Sequence, residues 1–328
     1  MADGQENQTP RQPRNLQGLL NFCTEITARE DTTQPTNFQQ LDPERRRFLE
    51  EALNSLTVNV AKKMAESVKT LCSEAVTMSG EDVTEQEEAM AVIEEYVDDM
   101  DHAIDLYKMG GFPVLLRCLD SPHPSLRAGA AGLIGDVCQN NLQCQQNMLA
   151  LNVIPQLLQV IDGDEDVTSR VKAMYALSCL IRDFPEGEKE FVKTEGFSYL
   201  MRAMQSGIEK LVIKSAFLLS RLIQDNDSYK GELLSMGYVE QLFTLLSSEK
   251  TGSVSREHCT AALLGLASSY PPALAECMRP ELHLKKHLTA RLREIKAKQE
   301  SLEEESYIME LLKLMEESEV EGEENTFR

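Results

Sequence analysis

Phe112-Pro113-Val114-Leu115 returns along this chain as Ile154-Pro155-Gln156-Leu157, Phe197-Ser198-Tyr199-Leu200 and Val239-Glu240-Gln241-Leu242, at intervals of 42, 43 and 42 residues. Every copy opens on an apolar residue and carries leucine three positions later. Three positions before the opener stand Met109, Leu151, Thr194 and Met236; six before it stand Leu106, Met148, Phe191 and Leu233. Steps of three keep side chains on one side of a helix. A helical period in the low forties is the signature of armadillo or HEAT units. One such unit cannot bury its apolar face alone, so units stack and present a long surface to a partner. The expected fold is all-α: an armadillo-like α-solenoid, a right-handed superhelix with helical N- and C-terminal caps.

Within each unit a short helix starts near the opener and admits Pro113 and Pro155 in its first turn, where proline is tolerated. Breaks follow at Asp120-Ser121-Pro122-His123-Pro124, Asp162-Gly163-Asp164, Ser206-Gly207 and Thr251-Gly252-Ser253. Longer helices are expected after them over Leu126–Asn140, Ser169–Arg182, Lys210–Gln224 and Arg256–Ser268. Their core positions align. Ala130, Ala173 and Ser215 correspond, as do Leu133, Ala176 and Leu218; Ile134, Leu177 and Leu219; and Val137, Leu180 and Leu222. Small residues at the first of these let helices approach closely.

Residues 1–40, rich in Gln, Thr, Asn and Pro, are expected to be disordered. An apolar island interrupts them at Leu16, Leu19, Leu20, Phe22 and Ile26. It spells a short amphipathic helix that either meets a partner or docks on its own solenoid. Residues 41–108 are assigned to N-terminal helices. Asp42-Pro43-Glu44 is a sound helix start, and Leu49, Leu53, Leu56 and Val60 mark one face to that helix's end. From Glu81 to Asp105 stand eleven acids and no Lys or Arg, with apolar residues at helical spacing, which suits a capping half-repeat. Residues 109–280 hold four repeats. Residues 281–328 form C-terminal capping helices, marked by Leu288, Leu292 and Ile295 and then Ile308, Leu311 and Met315, with an acidic tail.

The 33 Lys and Arg against 54 Asp and Glu leave a formal charge of −21, which repels nucleic acid and anionic membranes on average. The eight cysteines include no CxxC pair and read as small apolar side chains of a reducing compartment, not as a zinc site or disulfide framework. The polar N-terminus has no apolar core of a secretory signal. No apolar run approaches the ~20 residues that cross a bilayer. The chain therefore reads as cytoplasmic, and a monomer is expected.

No phosphate-binding loop, dinucleotide fingerprint, nucleophile elbow or HExxH motif occurs. His283 and His287 stand four apart with no third metal ligand in view. The sequence reads as a binding protein and not an enzyme, with no metal and no cofactor. The stripe complementary to the core carries Lys172, Tyr175 and Arg182 on the second long helix and Lys214, Phe217 and Arg221 on the third. Arg127 and Asp136 come from the first, Arg256 and His258 from the fourth. Stacking lines such positions up along an inner, concave wall. The outcome is a cationic and aromatic ladder in an acidic chain, built of the residue types that anchor interfaces. The alternative is that the lysines merely solvate a helix face and Phe217 belongs to the core.

Several strings resemble the armadillo-type nucleotide exchange factors of the 70-kDa heat-shock chaperone. They are Pro13-Arg14-Asn15-Leu16-Gln17-Gly18-Leu19-Leu20, Gly196-Phe197-Ser198-Tyr199-Leu200-Met201-Arg202-Ala203-Met204-Gln205, Lys214-Ser215-Ala216-Phe217-Leu218-Leu219, Ser235-Met236-Gly237 and Pro280-Glu281-Leu282. The resemblance spans nearly the whole chain and implies the cytosolic branch. It implies a co-chaperone whose curved solenoid grips the nucleotide-binding domain of heat-shock protein 70, speeds ADP release and so promotes client release. It also implies that Leu16, Leu19 and Leu20 belong to a client-release segment. The rival is an armadillo scaffold for an extended peptide. Such scaffolds line their groove with Trp and Asn ladders, and this chain has no Trp.

Overall fold

The computed structural model describes residues 59–296 and 298–326, and among them all regular structure is helical. Leu16, Leu19 and Leu20, and the helix start at Asp42-Pro43-Glu44, lie outside the described residues. The stacked helices belong to one compact unit, residues 63–328. The first described helix is α1 (Val60–Leu71). The Asn59 side chain accepts the Lys62 N–H at 2.9 Å and so caps it. Val60 therefore opens a helix and does not end one, a correction that follows from this cap.

A 3-10 turn at Glu74–Thr77 leads to α2 (Thr84–Tyr96). Helices then come in threes: α3 (Met100–Lys108), α4 (Gly111–Leu119) and α5 (Pro124–Cys138); α6 (Leu142–Ala150), α7 (Val153–Gly163) and α8 (Val167–Ile181). The next triplets are α9 (Pro185–Lys193), α10 (Gly196–Gln205) and α11 (Glu209–Asp225), then α12 (Lys230–Ser235), α13 (Tyr238–Ser247) and α14 (Ser253–Ala267). The last is α15 (Pro271–Cys277), α16 (Leu284–Ile295) and α17 (Leu302–Thr326). The acidic block is thus split between two helices, because Asp99 caps α3 by accepting the Asp101 N–H at 2.8 Å. The long helices begin one to three residues earlier than their periodicity implies. Asp166, for example, accepts the Ser169 N–H at 2.7 Å and moves the start of α8 back to Val167.

The long helices α2, α5, α8, α11, α14 and α17 each pack against the next. All the aligned core positions are buried, from Ala130, Leu133, Ile134 and Val137 through to Ser215, Leu218, Leu219 and Leu222. The same stripe continues as Cys259, Ala262, Leu263 and Leu266 on α14. On the end helices its first position turns polar: Gln86 on α2, whose amide donates to Ser73 Oγ at 2.9 Å, and Glu304 on α17. Glu304 is 1% exposed and takes both Nε and Nη2 of Arg291, at 2.8 and 2.9 Å.

The 42-residue period also has a backbone cause. Gly110, Asn152, Glu195 and Gly237 all have positive φ, between 57° and 82°. Each sits at the turn from the first to the second helix of its triplet, two residues before the apolar opener. This is the left-handed position at which helices commonly end, and Glu195 fills it without glycine's freedom.

Two stability outcomes follow. Arg291→Leu leaves Glu304 buried and unpaired and should cost about 3–5 kcal/mol; adding Glu304→Leu should restore most of the loss, read as the urea midpoint. Glu195→Gly relieves a left-handed strain of about 1–2 kcal/mol against a glycine entropy cost of about 0.5–1 kcal/mol. Its midpoint should rise.

Candidate functional site

The core stripe of the long helices fixes where their other side chains point. Tyr175 of α8 lies across Gly135 of α5, so closely that a Cβ at 135 would clash with the ring. Its hydroxyl donates to Asp136 Oδ1 at 2.9 Å, with Gln139 Oε1 at 3.2 Å. Lys172, one turn earlier, passes over Gly132, where a Cβ would stand 3.3 Å from Nζ. Lys214 of α11 places its ammonium over the Tyr175 ring, 5.1 Å from the centroid. Phe217 of α11 meets His258 of α14 edge to face, with ring centroids 5.9 Å apart. Each rung thus joins one long helix to the next.

Between α5, α8 and α11, Lys172, Tyr175, Lys214 and Asp136 border an open groove of about 520 Å³. Its lining includes Val167, Val171 and Tyr175, with Lys172, Lys210 and Lys214 and a single carboxylate, Asp136. None of the three lysines forms an ion pair among the described residues. Burial, aided by Lys172 and Lys210 nearby, holds the Lys214 ammonium below the usual lysine range. Burial also raises the Asp136 carboxyl, against the opposing pull of the Tyr175 hydrogen bond and Lys172. The groove is a partly desolvated cationic surface with an apolar, aromatic wall. Chemically it suits a carboxylate-bearing protein surface.

The structure brings together Lys172, Tyr175 and Lys214, and separately Phe217 and His258. Phe217 is 37% exposed, so it does not belong to the core. Arg182 and Arg221 do not stack on each other. Both approach Asp183, at 3.9 and 3.7 Å, at distances and exposures that contribute little. Arg127 is elsewhere and is a fastener. It chelates Asp164 at 2.6 and 2.7 Å and donates to the Ser121 carbonyl at 2.9 Å. Arg170 and Arg256 hold corresponding positions and reach the Ile161 and Ser248 carbonyls in the same way. An arginine in the first turn of a long helix here caps the short helix before it. Lys210 was missed by the sequence pattern, although it stands one turn before Lys214 and faces the same groove.

Residues 16–106 match the family model described as nucleotide exchange factor Fes1, and residues 102–231 match the SIL1/FES1/HPBP1 C-terminal domain. The mouse protein Hsp70-binding protein 1 (Mus musculus) is 36% identical over 312 residues, covering 92% of this chain and 86% of its own. Its Homo sapiens counterpart is 36% identical over 311 residues, covering 92% and 85%. The chain belongs to the SIL1/FES1/HPBP1 family. The Hsp70 nucleotide exchange factor FES1 of Mycosarcoma maydis is a more distant relative, 29% identical over 145 residues, covering 44% of this chain and 37% of its own. Among solved structures, a designed armadillo repeat protein superposes with a TM-score of 0.64 over 77% of this chain and 99% of its own. At 15% identity that likeness shows the armadillo fold alone. A second such design, in complex with a (KR)4 peptide, reaches 0.63 over 77% of this chain and 99% of its own, also at 15% identity.

For this member of the family, Gly135→Ala tests the seat of Tyr175. The added methyl meets the ring and stands 3.3 Å from the Ala176 Cα. It should cost about 1–3 kcal/mol, as overpacking does, and should move the Tyr175 ring resonances in an NMR spectrum. Gly163→Ala, in a helix with open space around its Cβ, should leave the ring resonances unchanged and, if anything, raise stability by about 0.4–1 kcal/mol.

Proposed function

We propose that this chain is a nucleotide exchange factor of heat-shock protein 70, a co-chaperone that binds the nucleotide-binding domain, accelerates ADP release and so promotes client release. The carrying observation is its likeness to Hsp70-binding protein 1 over 92% of its length. The factor binds an opened form of its partner more tightly than the closed, ADP-holding form, so the population shifts and ADP leaves. By reciprocity, ADP weakens the grip. Binding alone does this work; no group on the factor makes or breaks a covalent bond, so it is not an enzyme.

The grip falls to the ladder on α8, α11 and α14: Lys172, Tyr175, Lys214 and Phe217 at the centre, with His258, Arg182 and Arg221 beside them. Lys210 joins them by its place in the groove; Arg127 is left out because Asp164 occupies it. The repeats within 109–280 act as the binding body, 41–108 and 281–328 as its caps. Leu16, Leu19 and Leu20, in the 1–40 segment, serve client release. No described helix is long and apolar enough to cross a membrane. A cytoplasmic site of action is supported by the greater likeness to Hsp70-binding protein 1 than to the SIL1 of Xenopus laevis, which is 29% identical over 54% of this chain. The rival, an armadillo scaffold for an extended peptide motif, is disfavoured by the absence of Trp; a basic peptide such as the (KR)4 bound by the second design would also be repelled by Lys172, Lys210 and Lys214.

Stopped-flow release of labelled ADP from the chaperone is the test. The wild-type chain should accelerate release at equimolar amounts, and an unchanged rate at saturation would end the proposal. Lys214→Glu combined with Arg221→Glu should lower the acceleration about tenfold or more; undiminished acceleration by the folded double variant removes these residues from the grip.

Affinity should also depend on alkaline pH. The free Lys214 loses its proton earlier than an ordinary lysine, and a partner carboxylate would favour the charged form. Binding is then strongest below the pKa of free Lys214 and declines as pH rises through that of the bound state. Lys214→Arg should flatten this decline in a calorimetric titration, because arginine stays charged.

A further inference from the structure

Within the acidic last triplet, one stretch, α16 and the residues just after it, has the opposite charge. Between Leu284 and Lys298 stand Lys285, Lys286, Arg291, Arg293, Lys296 and Lys298 against one acid, Glu294, in a molecule of net charge −21. Two of these cations have structural duties: Arg291 holds Glu304, and Lys285 pairs with Glu319 at 2.7 Å. Lys286, Arg293, Lys296 and Lys298 are exposed and form no ion pair among the described residues. Lys286 and Arg293 lie on α16 and Lys296 and Lys298 just past its end at Ile295, so like charges are crowded within one short stretch and repel one another. Lys286 and Arg293, seven residues apart, share one side of α16 and rim a groove of about 550 Å³ between α15, α16 and α17. Its floor is apolar, with the buried Cys277, Leu284 and Met315 and the more exposed Ala290 beside them; the one carboxylate in the lining, Glu319, is already paired with Lys285. No lining residue is shared with the Lys172–Lys214 groove.

We propose that this groove is a second docking site, for a short acidic segment of a partner protein that sets carboxylates on Lys286 and Arg293 and an aliphatic side chain on the floor. Charge complementarity argues for the sign. The length follows from geometry. Seven residues of α-helix span about 10 Å, and a polyproline-II-like segment with 3 residues per turn and about 3.1 Å rise covers nearly that in three residues. The match is an acid, two intervening residues and a second acid. A long polyanion is a poor occupant, because beyond a Debye length of about 8–10 Å it leaves the cations and meets the acidic remainder. The site stands independently of the exchange reading.

The probe is a fluorescein-labelled peptide containing Glu-Leu-Leu-Glu, titrated with the full chain and followed by anisotropy. Lys286→Glu with Arg293→Glu, both on the surface, should weaken its binding at least tenfold and leave ADP release from the chaperone unchanged. Lys214→Glu should leave peptide binding intact. Failure of the wild-type chain to bind the peptide overturns the site, as does undiminished binding by the double variant. Equal binding of a Glu-Ser-Ser-Glu peptide also overturns it, since attraction to the cations without use of the floor is then all that remains.

Discussion

Close approach between successive long helices is the constraint on which the rest of the molecule depends. It is set by small side chains at one repeated position: Ala130, Ala173, Ser215 and Cys259 are all fully buried where α5, α8, α11 and α14 meet their neighbours. Nothing larger fits there without displacing a helix. The pattern stops at the ends for a physical reason. Among the described residues a terminal long helix has only one such neighbour, and polar side chains appear at the same position, Gln86 on α2 and Glu304 on α17. Both are buried, and both are partnered from within their own end of the stack, by Ser73 and Arg291. The ends are thereby closed with polar side chains and not with apolar surface that would invite further stacking; Glu304 is matched by Arg291, whereas the Gln86 amide donates to Ser73 and its buried carbonyl oxygen has no partner among the described residues.

The same close approach builds the candidate site. Because the core stripe fixes the rotation of every long helix, the side chains one step around the helix fall into register without further specification. Gly135 leaves room for the Tyr175 ring, Tyr175 in turn carries the Lys214 ammonium, and Phe217 meets His258. These are contacts between repeats, not within them, so one repeat alone would present none of the surface. Three lysines lie along it in a molecule with a surplus of acids. The field near the groove therefore differs in sign from the field far away, and an approaching partner is oriented by that difference.

Apolar spacing made the stack legible in the sequence, because burial acts on every repeat alike. Phe112, Ile154, Phe197 and Val239 are each at most 1% exposed, and the all-helical armadillo fold follows from them. The fourth long helix was harder to align beyond its span. Cys259 follows Ser215 by 44 residues, and the looser interval hides the register. The ladder was legible only in part. Lys172, Tyr175, Lys214 and Phe217 share a spacing; the structure joins the first three and sets Phe217 apart against His258. Arg127 has the right residue type and lies on a long helix, yet its environment was not readable. Its partner Asp164 is 37 residues away, and only the fold brings the two within 2.6 Å. A periodic pattern reports which side of a helix a residue occupies; it does not report whether that residue's charge is already neutralised.

A factor that speeds nucleotide release must discriminate between two forms of one partner, and tight binding by itself gives no acceleration. Discrimination needs a surface that does not adapt to both forms. The ladder has that property at its centre. Tyr175 is held by Asp136 and by the absence of a side chain at Gly135, and Phe217 by His258. Side chains fixed before contact lose less entropy on binding, and they present one shape and one charge pattern. A partner form that meets both gains their full interaction, and a form that meets only one leaves Lys214 partly desolvated without an anion to compensate. In the proposed grip, the rigidity that keeps the repeats stacked would be the same property that lets the surface prefer one form of the partner over the other.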